Sequence, residues 1–432
     1  MPEQPLLVLI VAGNWWPAAA RLASALIAHG CAVRAVCPRG HPLRYVEGIR
    51  GVYLLRGLAS RASLLGAIRD CEPGLIIPCD DGSVTQLHEL HGLHPDLRPL
   101  IERSLGDPRG YQVLESRDQL LQKAQQLGIR TAEAQRVRTA AEARVCYDRF
   151  GPTALLKLDV TCGGAGVQIV QSRAHAAAAF RRMRRAGGLG RSLKRLCVNS
   201  DPLALWSWRR RERTAVSMQR FIVGTPANIM LACWQGRVIA EVCVRAVASQ
   251  GPTGAALVVQ LIEHAECSHA ARLLAAHLGM SGFFGLDFIL DERTDTAHLI
   301  EMNPRCTQLG HLQIPRGDLA GALCAAVRGV SRAVARQPIT ADLIAFFPQA
   351  RLWGVSSALL ERAHHDVPSD QKPLLEILQQ QSWPERRWLA RAYHLLRRPM
   401  PMRAVEVSAA RLEEPRRVAG RSAGYGRASG GE

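Results

Sequence analysis

Residues 155–167, which decide the fold, read Leu-Leu-Lys-Leu-Asp-Val-Thr-Cys-Gly-Gly-Ala-Gly-Val. An apolar strand presents Lys157, and a glycine-rich turn follows it within a few residues. Glycines let backbone N–H groups approach phosphate oxygens closely, and a lysine adds a positive charge. The lysine precedes the glycines, and no Gly-Lys-Ser/Thr appears, so this is not a Walker A loop. The residues alone leave two alternatives open: a phosphate-binding turn, or a plain hairpin turn.

A second signal consists of two short apolar runs that contain oxygen-bearing side chains. They are Gly-Leu-Asp-Phe-Ile-Leu at 285–290 and Leu-Ile-Glu-Met-Asn-Pro-Arg at 299–305. Glu301 and Asn303 are two residues apart, so on a strand they share a face, and Asp287 can oppose them from the neighbouring strand. Hard oxygens clustered in this way suit Mg²⁺. The alternative is an exposed edge strand. It is disfavoured because burying an unpaired carboxylate on an apolar strand is costly.

The first ~110 residues alternate apolar runs with helical stretches, which predicts a parallel α/β sheet. The first run is Leu6–Ala12, and the first helix is expected to end at Gly30. No G-x-G-x-x-G follows this strand, so a dinucleotide site is not expected there. Asp80 and Asp81, after the fourth strand, are interpreted as a turn that caps the next helix.

From about residue 115 the pattern changes to β runs joined by short turns. An antiparallel hairpin is predicted over 153–170 and a strand over Val216–Val223, which favours an α+β unit with antiparallel sheets. Residues 319–330 and 355–398 are predicted to be helical, and the composition after Pro399 is typical of disorder. We therefore predict an α/β domain at 1–112, an α+β domain at 113–335, a helical segment at 336–400 and a disordered tail at 401–432.

The 432-residue chain is 47% hydrophobic and 21% charged. This composition excludes a disordered protein, and the length suits two or three domains. No apolar run reaches the roughly 18 residues of a membrane span, so no membrane association is expected. The run after Met1–Gln4 predicts a first strand rather than a signal peptide. The 12 cysteines form no C-x-x-C pair and no zinc spacing, which favours reduced thiols in the cytoplasm.

The net charge of +18 is concentrated in two segments. Residues 173–213 carry twelve Lys or Arg against two acids, and residues 386–432 carry eleven Arg against four acids. Three interpretations stay open: a solvated surface, a cationic lid at 173–213 that attracts an anionic substrate, and nucleic-acid binding. Nucleic acid is not the favoured partner, because no nucleic-acid motif accompanies the arginines.

The order of these parts over residues 1–330 resembles the ATP-grasp superfamily, whose members include D-alanine–D-alanine ligase, biotin carboxylase and carbamoyl phosphate synthetase. The matching parts are an α/β domain, a lysine strand, a glycine-rich flap, a linker strand, and paired acids with an asparagine. The resemblance implies that residues 1–112 are a pre-ATP-grasp domain and that residues 113–335 have the ATP-grasp fold.

The resemblance also implies roles for individual residues. Lys157 is expected to contact the nucleotide phosphates, with Arg117 as a second basic residue, and Arg305 matches the Asn-Pro-Arg phosphate contact of the family. The expected flap glycines are Gly163, Gly164 and Gly166; the expected adenine-edge residues are Gln219, Phe221 and Ile222; and the expected metal ligands are Asp287, Glu301 and Asn303. The family often has acids at the positions of Gln219 and Thr225, and this sequence departs from that pattern.

The activity implied by the resemblance is that of an ADP-forming ligase. Such an enzyme uses ATP and Mg²⁺, or Mn²⁺ in its place, to activate a small carboxylate as an acyl phosphate, which an amine then attacks. The alternatives are a non-catalytic ATP-binding scaffold on the same fold, and a carboxylase or carbamoyl-phosphate enzyme. A homo-oligomer is left open. So are the roles of His264 and His311, each of which either contacts substrate or serves packing.

Overall fold

The computed structural model of the chain describes residues 4–158, 166–186, 216–315, 317–330, 338–380, 388 and 404–406. Three β-sheets organise these residues. The first is parallel, the second is four-stranded and antiparallel, and the third has eight strands and is mostly antiparallel. The predicted fold class, a parallel α/β unit followed by antiparallel sheets, is confirmed.

The N-terminal sheet has the strand order β3-β2-β1-β4, and all its pairings are parallel. The first helix ends as predicted: Gly30 has φ 74°, a left-handed conformation that glycine adopts freely, and its N–H donates to the carbonyl of Ile27. The strands are β1 Leu7–Val11, β2 Ala32–Cys37, β3 Gly51–Leu54 and β4 Leu75–Pro78, and the helices are α1 Pro17–Ala28, α2 Ser60–Cys71, α3 Asp81–Leu93, α4 Arg98–Leu105 and α5 Tyr111–Glu115.

The small antiparallel sheet has the order β5-β8-β6-β7, and its β6–β7 pair is the predicted hairpin. Its elements are α6 Arg117–Gln126, β5 Ala134–Val137, α7 Ala140–Phe150, β6 Ala154–Leu158, β7 Val167–Val170, α8 Arg173–Ala186 and β8 Val216–Arg220. The strand predicted to continue to Val223 ends at Arg220. The reason is that residues 221–223 leave this sheet and carry the chain to β9 in the large sheet.

The large sheet has the order β13-β12-β9-β10-β11-β14-β15, and β16 pairs with β10. Its strands are β9 Gly224–Trp234, β10 Arg237–Ser249, β11 Ala256–Leu261, β12 Gly282–Asp291, β13 Ala297–Asn303, β14 Leu343–Phe346, β15 His364–Asp366 and β16 Val405–Glu406. Two helices accompany them, α9 Ala265–His277 and α10 Leu319–Arg328.

The C-terminal segment 336–400, predicted to be helical, contains strands as well as helices. The described helices are short: α11 Gln349–Leu352, α12 Ser357–Arg362 and α13 Lys372–Gln379. Strand β14 is a fully buried apolar run that pairs antiparallel with β11, and β15 pairs parallel with β14. Helical periodicity cannot identify a run of four apolar residues, because its length fits a strand as well as part of a buried helix.

The largest buried cluster joins the N-terminal sheet to the large sheet. It contains Val8 and Leu22 from the first unit, Met230 and Val242 from the large sheet, and Leu374 from α13. Because one core spans residues on both sides of position 112, the domain boundaries stay predictions. In the tail 401–432, predicted to be disordered, residues 404–406 are described and Val405–Glu406 pair with β10, so the prediction of disorder is wrong for these residues. The rest of the tail, the basic residues 187–213 and most of 386–400 lie outside the described residues.

Gly224 begins β9 against the end of β12, and a Cβ added there would lie 2.1 Å from the carbonyl oxygen of Leu290. We expect Gly224→Ala to lower the free energy of unfolding by about 1–3 kcal/mol, because backbone must move to admit the methyl group. Urea denaturation measures this. Gly66→Ala is the control: the site is exposed on α2 with nothing within 4 Å, so it should raise stability by up to about 1 kcal/mol. Equal stabilities of the two variants would contradict the assigned pairing.

Candidate functional site

Two carboxylates lie opposite each other on paired strands of the large sheet. Asp287 on β12 is in direct register with Glu301 on β13. Asn303, two residues after Glu301, shares its face of the strand, and its Nδ2 donates to Asp287 Oδ2 at 2.9 Å. The three side chains that the sequence suggests as metal ligands therefore come together at one point of the sheet.

Asn228 on β9 also belongs to this cluster, and the sequence analysis missed it. It pairs with Asp287 across the β9–β12 ladder, and its Nδ2 donates to Asp287 Oδ1 at 2.6 Å. One signal could have identified it, namely a polar amide inside an otherwise apolar strand. The Asp287 carboxylate is thus held by one amide on each neighbouring strand.

Burial raises the pKa of Asp287 above its ordinary value, and the nearby Glu301 carboxylate raises it further. Hydrogen bonds from Asn228 and Asn303 oppose this shift in the pKa of Asp287 by stabilising its charged form. Two carboxylates this close repel each other, so a cation placed between them would lower the electrostatic free energy of the site.

The donor set fits a hard divalent cation. Within the described ranges, no cluster of three or more His, Cys, Asp or Glu could hold a metal ion. Two carboxylates and amide oxygens remain, and Asn228 Oδ1 is buried without a hydrogen-bond partner among the described residues. Mg²⁺ typically takes one or two carboxylates from the protein and its other ligands from water and phosphate oxygens. Asp287, Glu301 and Asn303 match that requirement.

Two cations stand beside the carboxylates. Arg117, the first residue of α6, donates from Nη2 to Glu301 Oε1 at 2.5 Å. Lys157 on β6 is 5% exposed, and the charges of Arg117, Glu301 and Asp287 all act on its ammonium. Burial is the main cause that lowers the pKa of Lys157 to about 8; Arg117 lowers it further, whereas the two carboxylates raise it. The cluster therefore contains two positive and two negative side chains.

Arg305 connects this cluster to the N-terminal sheet. Its Nη2 donates to Asn303 Oδ1 at 3.1 Å, and its Nε donates to Asp81 Oδ1 at 2.8 Å. The predicted capping turn is confirmed: Asp80 caps α3 by accepting from the backbone N–H of Ser83 at 2.8 Å. The ion pair of Asp81 with Arg305 was not predicted, because 224 residues separate the two in the sequence.

The residues predicted to contact the adenine, and the predicted flap glycines, differ in how far they are buried and in whether the structure describes them. Gln219 is buried on β8, whereas Phe221 is 37% exposed and Ile222 is half-buried in the segment that links β8 to β9. The carbonyl of Gly166 accepts from the N–H of Leu158 at the base of the hairpin. Gly163 and Gly164 lie outside the described residues, so the flap stays a prediction.

The structure gives different surroundings to His264 and His311, whose roles the sequence analysis left open. His264 is the N-cap of α9, where its Nδ1 accepts from the N–H of Cys267, and this supports the packing alternative. His311 is buried, and its Nε2 lies 2.7 Å from Asp366 Oδ2. His311 therefore belongs to a polar cluster of its own.

Comparisons with known proteins identify chains of similar fold. A family model described as an ATP-grasp domain matches residues 199–308. The biotin carboxylase domain of 2-oxoglutarate carboxylase from Hydrogenobacter thermophilus, solved as a dimer with MgADP, ADP and bicarbonate, has a TM-score of 0.57 and 14% identity; the match covers 78% of this chain and 72% of that one. The comparison with curated protein sequences finds no match.

Two ligases of other kinds share the fold. Carboxyaminoimidazole ribonucleotide synthase from Aspergillus clavatus, solved with ATP, has a TM-score of 0.57 and 14% identity over 76% of this chain and 78% of that one. L-amino acid ligase from Bacillus licheniformis has a TM-score of 0.55 and 15% identity over 77% of both chains. These likenesses, with the match of the family model to residues 199–308, confirm the fold that the resemblance in the sequence implies: this chain has the ATP-grasp fold.

Proposed function

We propose that this protein is an ADP-forming ligase that uses ATP and Mg²⁺, or Mn²⁺, to activate a small carboxylate and join it to an amine. One observation carries the proposal: two basic side chains, two carboxylates and two carboxamides from helix α6, the small antiparallel sheet and the large sheet lie together. These side chains are Arg117, Lys157, Asp287, Glu301, Asn228 and Asn303. The solved proteins of the same fold include ligases bound to ATP and ADP, which supports this choice of substrate.

The reaction requires a leaving group on the carboxylate, because a free carboxylate does not react with amines. A carboxylate oxygen attacks the γ-phosphorus of ATP, ADP departs, and the resulting acyl phosphate is attacked by the amine with loss of phosphate. Most of the catalytic effect in phosphoryl transfer comes from positioning and from stabilising charge. No nucleophilic side chain is needed, which agrees with a site made only of charged and amide groups.

Each side chain has a task that its surroundings support. Lys157 and Arg117 bind phosphate oxygens through charge-assisted hydrogen bonds, since Lys157, whose pKa burial lowers to about 8, is still mostly charged at neutral pH. Asp287, Glu301 and Asn303 would hold Mg²⁺, which when bound neutralises phosphate charge and orients the phosphates. Arg305, which donates to Asn303 and Asp81, would bind the transferred phosphoryl group from the side of the N-terminal sheet.

The same proposal includes the cellular compartment of the protein and its small-molecule substrates. No helix in the described part of the chain is long and apolar enough to cross a membrane. The ten cysteines of that part are buried free thiols, which supports a reducing compartment such as the cytoplasm. Small carboxylates and amines are the proposed substrates, and the identity of both is the first experimental question.

A screen of ADP release decides between the enzyme and its alternatives. Purified protein with MgATP is offered carboxylates one at a time, including bicarbonate, with hydroxylamine as a general nucleophile. ADP release together with an acyl hydroxamate supports the ligase, because only an activated carboxylate gives that product. Release with bicarbonate alone would favour the carboxylase alternative. Tight ATP binding without ADP release on any acid would favour the scaffold.

Lys157→Ala should weaken MgATP binding by about 1.5–3 kcal/mol, the typical value of a hydrogen bond to a charged group. Isothermal titration calorimetry measures the affinity, and circular dichroism verifies folding. Lys372→Ala is the matched control, because Lys372 is exposed at the start of α13. Unchanged affinity in a folded Lys157→Ala protein would mean that the nucleotide binds elsewhere.

Glu301→Gln keeps the side-chain shape and removes one negative charge from the metal site. We expect kcat to fall by at least about 100-fold, equal to about 2.7 kcal/mol in the barrier, while metal-free ATP binding changes little. Titration of Mg²⁺ during turnover should show a higher half-saturating concentration. Glu266→Gln, an exposed glutamate paired with Arg130, is the matched control and should retain activity. Full activity in Glu301→Gln would rule out the magnesium assignment.

A further inference from the structure

Two cysteine side chains from distant parts of the chain meet beneath the surface, and the proposed reaction uses neither of them. Cys31 precedes β2 in the N-terminal unit, and Cys324 lies on α10. Although 293 residues separate them in the sequence, their Sγ atoms are 3.0 Å apart. A disulfide bond is about 2.05 Å long, so a shift of about 1 Å would bring the two sulfurs to bonding distance.

A guanidinium stands beside one of the two sulfurs. Arg328, the last residue of α10, donates from Nη1 to the carbonyl of His29 at 3.1 Å and from Nη2 to the carbonyl of Gly30 at 2.8 Å. The same Nη2 lies 3.6 Å from Cys31 Sγ. The two carbonyl contacts therefore hold the positive charge next to Cys31.

The two thiols differ in how readily they ionise. The hydrogen bond with Cys324 lowers the pKa of Cys31 below its ordinary value, and the charge of Arg328 lowers it further, whereas burial opposes the shift. The same hydrogen bond and burial raise the pKa of Cys324. Because the thiolate is the nucleophilic form of cysteine, Cys31 is the reactive member of the pair, and Cys324 is the neutral thiol that donates to it.

The pair lies close to solvent at the ends of two helices. Cys31 is 7% exposed and Cys324 is 2% exposed, and the glycines next to Cys31 and Arg328, Gly30 and Gly329, are exposed. Hydrogen peroxide is little larger than a water molecule, and chain segments at exposed turns open locally more readily than the core does. A small oxidant therefore needs only a local opening of this turn to reach Cys31.

We propose that Cys31 and Cys324 form a reversible disulfide when the protein meets a peroxide. The Cys31 thiolate attacks one peroxide oxygen, the O–O bond breaks, and the products are a sulfenic acid on Cys31 and hydroxide. The Cys324 sulfur then attacks Cys31 Sγ, the S–O bond breaks, and the proton of the Cys324 thiol leaves with the departing hydroxide as water. Two electrons pass from the thiol pair to the peroxide, and a reducing dithiol reverses the change by thiol–disulfide exchange.

The disulfide fastens the N-terminal unit to the helix that follows the large sheet. Cys31 and Cys324 already belong to the buried cluster that joins the parallel sheet to the large sheet. A cross-link between residues 293 positions apart removes more conformational freedom from the unfolded chain than one that closes a short loop. Oxidation therefore stabilises the folded protein. It involves none of the proposed phosphate or metal residues, so this inference does not rest on the proposed function.

A second pair of thiols offers an internal comparison. Cys243 on β10 and Cys267 on α9 are also in contact. This contact, burial and the acidic side chains of Glu266 and Asp295 all raise the pKa of Cys267. Acidic side chains thus act on this pair, whereas Arg328 acts on the other pair. We expect Cys243 and Cys267 to stay reduced under conditions that link Cys31 to Cys324.

Peptide mapping of the full-length protein tests the bond. Reduced protein is treated with a small excess of hydrogen peroxide, alkylated with N-ethylmaleimide in denaturant and digested with trypsin. Cys31 and Cys324 are the single cysteines of the tryptic peptides 22–34 and 317–328. We expect these two peptides to be linked until dithiothreitol is added, and the melting temperature of the oxidised protein to rise by about 5 °C. Absence of the linked peptides, or linkage of Cys243 to Cys267 in their place, would overturn the proposal.

Single substitutions test the roles assigned to the two thiols. Cys324→Ser keeps a donor for Cys31, so peroxide should leave a sulfenic acid on Cys31, which dimedone labels at least about tenfold faster than Cys324 in Cys31→Ser. Arg328→Gln should slow formation of the disulfide about tenfold. Cys71→Ser is the control, because Cys71 is 6% exposed and burial raises its pKa to about 11; this variant should form the disulfide as the wild type does.

These variants also show which result would contradict the assigned chemistry. Equal dimedone labelling of Cys31 and Cys324 in the two single variants, or an unchanged rate in folded Arg328→Gln, would rule out Cys31 as the thiol that Arg328 activates. Circular dichroism verifies that each variant is folded. The mapping of the wild-type protein needs no variant, so it decides the proposal even where a substitution prevents folding.

Discussion

The repulsion between Asp287 and Glu301 is the constraint on which the rest of this site depends. Strand pairing fixes the two carboxylates opposite each other, so neither can move away without disturbing β12 or β13. Water cannot screen them fully, because Asp287 lies among buried strands. Nearby positive charge and amide donors offset this repulsion. Arg117 and the amide of Asn228 come from outside the strand pair, whereas the amide of Asn303 belongs to β13.

The offsetting groups explain why three sheets converge here. Lys157 belongs to the small antiparallel sheet, and Arg117 begins the helix that precedes that sheet. Arg305 extends from the end of β13 to Asp81 at the edge of the parallel sheet. The ion pairs Arg117–Glu301 and Arg305–Asp81 each join two different parts of the chain. The same contacts therefore balance the charges of the site and hold these parts together.

The sequence predicted the parts that local patterns encode. A glycine-rich turn predicted the hairpin around Lys157, and alternating strands and helices predicted the parallel first unit. The two-residue spacing of strands placed Glu301 and Asn303 on the same face of β13. The pairings of these residues were not predictable, because Asn228 meets Asp287, and Asp81 meets Arg305, only through contacts between distant parts of the chain. Strands β14 and β15 were missed for a related reason: runs of three or four residues have no measurable period.

The charge balance also bears on what the site accepts. The side chains of Lys157 and Arg117 match those of Asp287 and Glu301 in number, so the site has little net charge before any ligand enters. A polyphosphate without a cation would bring its negative charge against two carboxylates that only two cations already balance. With a divalent cation, the proposed polyphosphate would meet those carboxylates as ligands of the cation, and its negative charge would favour the protonated form of Lys157. The proposed preference for a metal-bound nucleotide therefore follows from the position of Asp287 directly opposite Glu301, and no further side chain is needed to select the metal-bound form.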